Sequence, residues 1–159
     1  MESEGSDSRM TIIAWSGDLD RVWPQLILAT TGAAYGMTTT IFFTFWGLHT
    51  IKRPDVKIVG DNWMTRMMSA IDQPGGLSRM NFAGAGAKMM KKIAADHKVA
   101  PPQELLETAV ELGVRLWPCS MTMDLLGLKP EHLVDGVGEP VGAATALSEM
   151  QRSQISLFI

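Results

Sequence analysis

The chain alternates between short apolar runs and longer segments in which apolar side chains recur every three or four residues. Met10 to Ser16 is an apolar run ending in Ser16-Gly17-Asp18, a strand followed by a helix start. Asp18 is placed to cap a helix from Leu19, and Asp20 adds negative charge where the helix dipole favours it. Pro24 falls in the early turns, where a missing N–H costs less than it would deeper in. This helix is expected to run to Tyr35 and stop at Gly36. Met37 to Thr44 (MTTTIFFT) then reads as a second strand, completing a βαβ unit with a right-handed crossover. A short helix, Phe45 to Arg53, precedes Pro54. Asn62 to Ile71 and Gly84 to Asp96 have helical spacing, with a Pro74-Gly75-Gly76 turn between them. Pro101 and Pro102 open an amphipathic helix, Gln103 to Leu112, with Leu105, Leu106, Ala109 and Leu112 facing inward and Gly113 as its stop. Val114 to Pro118 is a third strand with Cys119 at its tip, and Met121 to Leu126 resumes helix. A last helix, Gly142 to Arg152, leads to Ile155 to Ile159, whose unbroken apolarity predicts burial on both faces. The pattern is α/β: a three-layer α/β/α arrangement with a mostly parallel sheet of about four to five strands.

Composition narrows this further. The 159 residues are 46% hydrophobic and 19% charged, enough for one well-formed core and unlike a disordered chain. Met1 to Arg9 is polar and lacks the basic start and apolar centre of a signal peptide, so it reads as a disordered leader before a single domain spanning 10–159. Leu26 to Leu48 carries no formal charge and is long enough to cross a bilayer. Its six threonines, and the change of texture between Gly32 and Gly36, favour a helix that turns into a buried strand. A cytoplasmic protein without a membrane span is the resulting expectation. The net charge of −3 argues against nucleic-acid binding by phosphate neutralisation.

Chemistry converges on one atom. Cys119 is the only cysteine, which excludes an intrachain disulfide, a multi-cysteine zinc site and any intramolecular resolving step. In open parallel sheets ligands gather at the carboxyl ends of strands. Three such ends are Ser16-Gly17, Thr44 to Trp46, and Cys119-Ser120. A cysteine at a helix start meets unpaired N–H groups that favour the thiolate, although cysteine also packs readily as a small hydrophobe. A cysteine hydrolase needs a histidine base. Among His49, His97 and His132, the last two read as surface residues, and His49, following the second strand, is the one candidate. Gly84-Ala85-Gly86-Ala87-Lys88 lacks phosphate-loop spacing and reads as a tight helix start. Cys119, Met121 and Met123 lie two apart on a helix, so their sulfurs diverge and do not form a soft-metal site. The twelve methionines are better read as packing or as an adaptable contact surface.

Four segments carry a resemblance: SGDLDR (Ser16 to Arg21), FFTFWGL (Phe42 to Leu48), SRMNFAGAGAKMMKK (Ser78 to Lys92) and CSMTMDLLG (Cys119 to Gly127). With the closing VGAATALSEMQRSQISLFI, they resemble the DsrE/DsrF/DsrH-like family, in particular its stand-alone small proteins, which sometimes carry a peroxiredoxin-family label. The resemblance runs from Met10 to Ile159. It implies an α/β/α fold, assembly into a homo-oligomer, and sulfur relay through a persulfide or thiosulfonate on the cysteine matched by Cys119. The implied partners are a TusA-like sulfur carrier and a rhodanese-like donor protein. Trp117-Pro118 stands before the cysteine where small residues are common in relatives, which bears on access to the thiol. Such a carrier needs no cofactor, no metal and no second cysteine. Ser120, Met121, Thr122, Thr44, Trp46 and Ser16 are the expected walls of its substrate site. Two other functions fit the same pattern. One is a non-catalytic oligomeric interaction module with a structural cysteine and a methionine-rich Met64 to Met90 surface. The other is a small-ligand or nucleotide-binding domain using the strand-end cleft and the turn at Gly84.

Overall fold

The computed structural model describes residues 8–56 and 85–159. Four strands form one sheet: β1 (Arg9–Ala14), β2 (Thr38–Phe43), β3 (Arg115–Pro118) and β4 (Ile155–Phe158). All pairings are parallel, in the order β3-β2-β1-β4. Among the described residues five α-helices accompany them: α1 (Leu19–Ala34), α2 (Ala85–Asp96), α3 (Pro102–Glu111), α4 (Ser120–Leu126) and α5 (Ala143–Arg152). Two 3-10 helices, Phe45–Thr50 and Pro130–His132, are also described. The Asn62 to Ile71 helix, the Pro74 turn and most of the methionine-rich stretch lie outside the described residues.

The apolar segment from Leu26 to Leu48 is divided as its texture predicts. Gly36 takes φ +85°, a left-handed turn that ends the helix and lets the chain reverse into β2. No helix among the described residues is long and apolar enough to cross a membrane. At the other end of α1, Asp18 holds the N-cap position, but its side chain makes no cap bond. Its carboxylate instead accepts from Ser16 Oγ at 3.1 Å. The first strand also starts earlier than the pattern gave. Arg9 pairs with Thr38 and belongs to the sheet, and the Ser8 carbonyl before it accepts the Thr38 N–H.

Period-two alternation sends Met10, Ile12 and Ala14 of β1 to one face, with Ile41, Phe43 and Leu116 from its neighbours. Val22, Leu26 and Ala29 of α1 and Leu106 and Ala109 of α3 close over them. Each large aliphatic or aromatic side chain in this layer contributes about 1.5–3 kcal/mol by leaving water. Helix α5 lies on the opposite face, which makes three layers. The last strand corrects an expectation. It forms the margin of the sheet, and Ile155, Ser156 and Phe158 are exposed, with Phe158 70% accessible. Leu157 and Ile159 alone turn into the main core.

Candidate functional site

The junction of β3 and α4 sets the position of the thiol. Strand register aligns Ala14, Phe43 and Pro118, so Trp15, Thr44 and Cys119 form the next row at the carboxyl end of the sheet. The Cys119 N–H donates to the Phe43 carbonyl at 2.8 Å, and its own carbonyl accepts the Met123 N–H at 2.9 Å. Cys119 thus directly follows β3 and is the N-cap of α4. Outside it, Val141 is bridged to the same backbone: Ser120 N–H donates to the Val141 carbonyl at 3.0 Å, and Val141 N–H to the Pro118 carbonyl at 2.9 Å. The Ser120 amide, at the first position of α4, is therefore engaged by Val141.

The thiol itself is 3% exposed. It shares an apolar cluster with Ile13, Phe42 and Ala146, against which Trp117, Val141 and Met150 pack. A reachable sulfur is what the strand-tip position leads one to expect, and in this conformation the expectation is not met. The cover comes from α5 and from the segment before it, which follow the cysteine by some two dozen residues in sequence.

Of the six expected wall residues, the structure brings part together. Thr44 and Thr122 meet through their hydroxyls at 3.2 Å, and Thr122 Oγ1 also accepts the Phe45 N–H at 3.2 Å. These bonds fasten the start of α4 to the end of β2, where Phe45 is held at φ +45°. Such a left-handed conformation is strained for a residue with a Cβ. Ser120 is half-buried and Met121 is 61% exposed, beside the cysteine and facing solvent. Ser16 and Trp46 lie elsewhere. Ser16 belongs to the β1 terminus, two strands across from Cys119 and so about 10 Å away, and its hydroxyl is committed to Asp18. Trp46 stacks on His49, with ring centroids 5.7 Å apart.

The histidines follow the same division. His49 lines a cleft on the α1 side of the sheet, away from the cluster that holds the thiol. His97 is exposed, as its position suggests. His132 is half-buried rather than a free surface residue, because its Nδ1 accepts the Lys129 N–H at 3.1 Å. The cleft has a volume of about 840 Å³. Gly17, Trp23 and Thr50 wall it, and Lys52, Lys91 and Lys98 set its charge against Glu104. Among the described residues, no group of histidine, cysteine and carboxylate side chains is arranged to hold a metal ion.

One buried polar centre was not legible in the sequence. Glu149 of α5 is 1% exposed. Its carboxylate bonds Arg9 at 3.2 Å and Arg152 at 3.1 Å, and Arg115 more closely still. Burial by itself raises the Glu149 pKa; the Arg115 guanidinium, and after it Arg9, outweigh that effect and hold the carboxyl below its ordinary range. A signal existed in the i, i+3, i+4 spacing of Ala146, Glu149 and Met150, which puts the glutamate on the inner face of an amphipathic helix. Arg152, three residues on, is its one local partner; nothing local indicates Arg9 or Arg115.

Comparison with known proteins agrees with this architecture. A sequence model of the DsrE/DsrF/DrsH-like family matches residues 6–158. The uncharacterized protein YrkE of Bacillus subtilis is 39% identical over 155 residues, which cover 95% of this chain and 96% of that protein. Sulfur carrier protein DsrE2 of Allochromatium vinosum is 35% identical over 157 residues, covering 95% and 98% of the two chains. Among solved structures, the ychN protein from E. coli has a TM-score of 0.60 at 14% identity, covering 96% of this chain and 99% of its own, a likeness of fold alone. With the sheet order, the strand-tip cysteine and a match over nearly its whole length in place, the chain belongs to the DsrE/DsrF/DrsH-like family.

Proposed function

We propose that this protein is a sulfur-relay carrier that takes sulfane sulfur onto Cys119 and passes it to a partner protein. The observation that carries the reading is the single cysteine at the β3–α4 junction, at the strand ends where parallel sheets do their chemistry. Kinship with a protein named as a sulfur carrier supports it. In the loading step the Cys119 thiolate attacks the outer sulfur of a donor persulfide, R–S–S⁻. A new S–S bond forms, the old one breaks, and R–S⁻ leaves with its electron pair. Unloading is the same exchange with the partner's thiolate as nucleophile. Neither step needs an external oxidant. A rhodanese-like protein suits the donor role and a TusA-like carrier the acceptor role. Self-association into a homo-oligomer is supported by the exposed apolar side chains of β4, and a cytoplasmic setting suits an unpaired thiol.

The test is mass spectrometry after incubation with a small persulfide donor. The wild type is expected to gain the mass of one sulfur, reversible by reductant, and Cys119→Ser to gain none. A wild-type thiol that stays unmodified under every donor, and reacts with a thiol reagent only when unfolded, would make Cys119 a packing residue.

The cleft beside α1 favours a second reading, a binding domain for a small anion. Three lysines oppose one glutamate there, and the amino-terminal turns of α1 and α3 border it. Thermal shift with nucleoside mono- and diphosphates is expected to raise the melting temperature by several degrees in the wild type and less in Lys91→Ala/Lys98→Ala. Absence of any shift removes this reading.

A further inference from the structure

The face of the sheet under α5 is divided along its length. Register places Thr11 beside Thr40 and Thr40 beside Arg115, with Arg9 at the start of β1, so the amino half is polar. One step further, Ile13, Phe42 and Trp117 align, and the carboxyl half is apolar and ends at Cys119. Helix α5 spans both halves. Ala146 and Met150 pack into the thiol's cluster, and Glu149 between them takes the arginines of the polar half. Ser153, the C-cap, adds a hydroxyl contact to Thr11 at 2.8 Å.

The apolar part of this attachment is small. Only Ala146 and Glu149 of α5 are buried, and Leu147 is 60% exposed. A helix held by one alanine, one partly covered methionine and an ion cluster belongs to the less stable elements of a fold. At its amino end Gly142 leads into the helix, and a side chain there would meet nothing within 4 Å, so the joint has room to turn. The strap at Val141 is fixed independently by its two backbone bonds.

We infer that α5 is a lid over Cys119, and that Glu149, gripped by Arg9, Arg115 and Arg152, is the latch that keeps it shut. The inference rests on the sulfur-carrier reading for its purpose: a buried thiol cannot meet a partner's persulfide until its cover lifts. Lifting α5 withdraws Ala146 and Met150 from the thiol's cluster while the strands and the Val141 strap stay paired. Glu149 lies between those two residues, so an anionic surface on the partner that competes for its arginines loosens this cover.

The experiment is the rate at which a small maleimide labels Cys119 in the folded protein. Glu149→Gln is compared with Leu106→Ala, which weakens the core on the other face, each at the same interval below its own melting temperature. The lid predicts at least tenfold faster labelling in Glu149→Gln. Equal rates at matched stability would overturn it, because exposure would then follow global unfolding alone. Should Glu149→Gln fail to fold, Ser153→Ala, which removes the hydroxyl's contact to Thr11 and its bond to the Glu149 carbonyl, takes its place in the same comparison. Sulfur uptake is read separately. Fast labelling with no uptake from any donor rejects the carrier function and keeps the lid. Uptake by the wild type at a rate unchanged in the latch variant rejects the lid and keeps the function.

Discussion

At the scale of single residues, Glu149 gives the fold a defined dependence on acid. Its folded pKa lies below the ordinary glutamate value of 4.5, so in that region the unfolded chain binds more protons than the folded one. The stabilisation is complete above about pH 5 and is lost as pH falls through the folded value. The wild-type melting temperature is therefore expected to fall from about pH 5 downward more steeply than that of Glu149→Gln. Parallel curves for the two proteins would contradict this. At neutral pH the same substitution leaves three guanidinium groups without their carboxylate. Those groups are a quarter to more than half exposed, so the expected cost is about 1–3 kcal/mol, less than for a fully buried pair. Arg152 lies three residues away in the chain, but the other two partners are distant. Arg9 and Arg115 are brought to it only when β1 and β3 take their places in the sheet.

At the scale of elements, periodicity located the described strands and α-helices to within a residue or two, because each carries its own pattern, whereas the helix expected over Phe45 to Arg53 is a 3-10 helix that ends at Thr50. MTTTIFFT is strand-like wherever it stands, and the run from Leu19 closes at Gly36 through local turn chemistry. What each element touches is a different kind of information. The apolar run Ile155 to Ile159 is as apolar as a central strand, yet β4 forms a margin, since strand order comes from how the crossovers pack. The burial of Cys119 is equally non-local, being set by α5. The 3-10 helix after β2 shows the reverse case, a local choice with a global consequence. A Cβ at Gly47 would stand 2.1 Å from the Ala14 carbonyl oxygen, so only glycine lets this helix seat on the end of β1. Gly47→Ala is expected to cost at least the roughly 1–3 kcal/mol typical of overpacking, seen as a drop of about 5–10 °C in melting temperature. An unchanged melting temperature would show that the contact yields.

At the scale of the whole molecule, parallel topology sends every strand's carboxyl end to one pole. The thiol junction, the 3-10 helix and the lysine-bordered cleft therefore share that pole, while the arginines gathered by Glu149 include those at the start of β1 and β3. This polarity follows from the βαβ pattern, and so the placement of Cys119 at the carboxyl end of a strand was legible from sequence. The assignment of Ser16 and Trp46 to the cysteine was not, because one pole holds two separate pockets of structure and adjacency within it depends on strand order.

The two margins of the sheet are not alike. Beyond β3 the chain returns and seals the border: Gly138 N–H donates to the Leu116 carbonyl and Val141 N–H to that of Pro118, each at 2.9 Å. The far side of β4 has no such cover among the described residues, and Phe158 stands outward there. Among the described residues, then, the sheet offers one flank for extension. Two copies of such a sheet that join open flank to open flank about a two-fold axis would consume both. Growth by that route stops at the pair, whereas two bare borders invite endless ribbons.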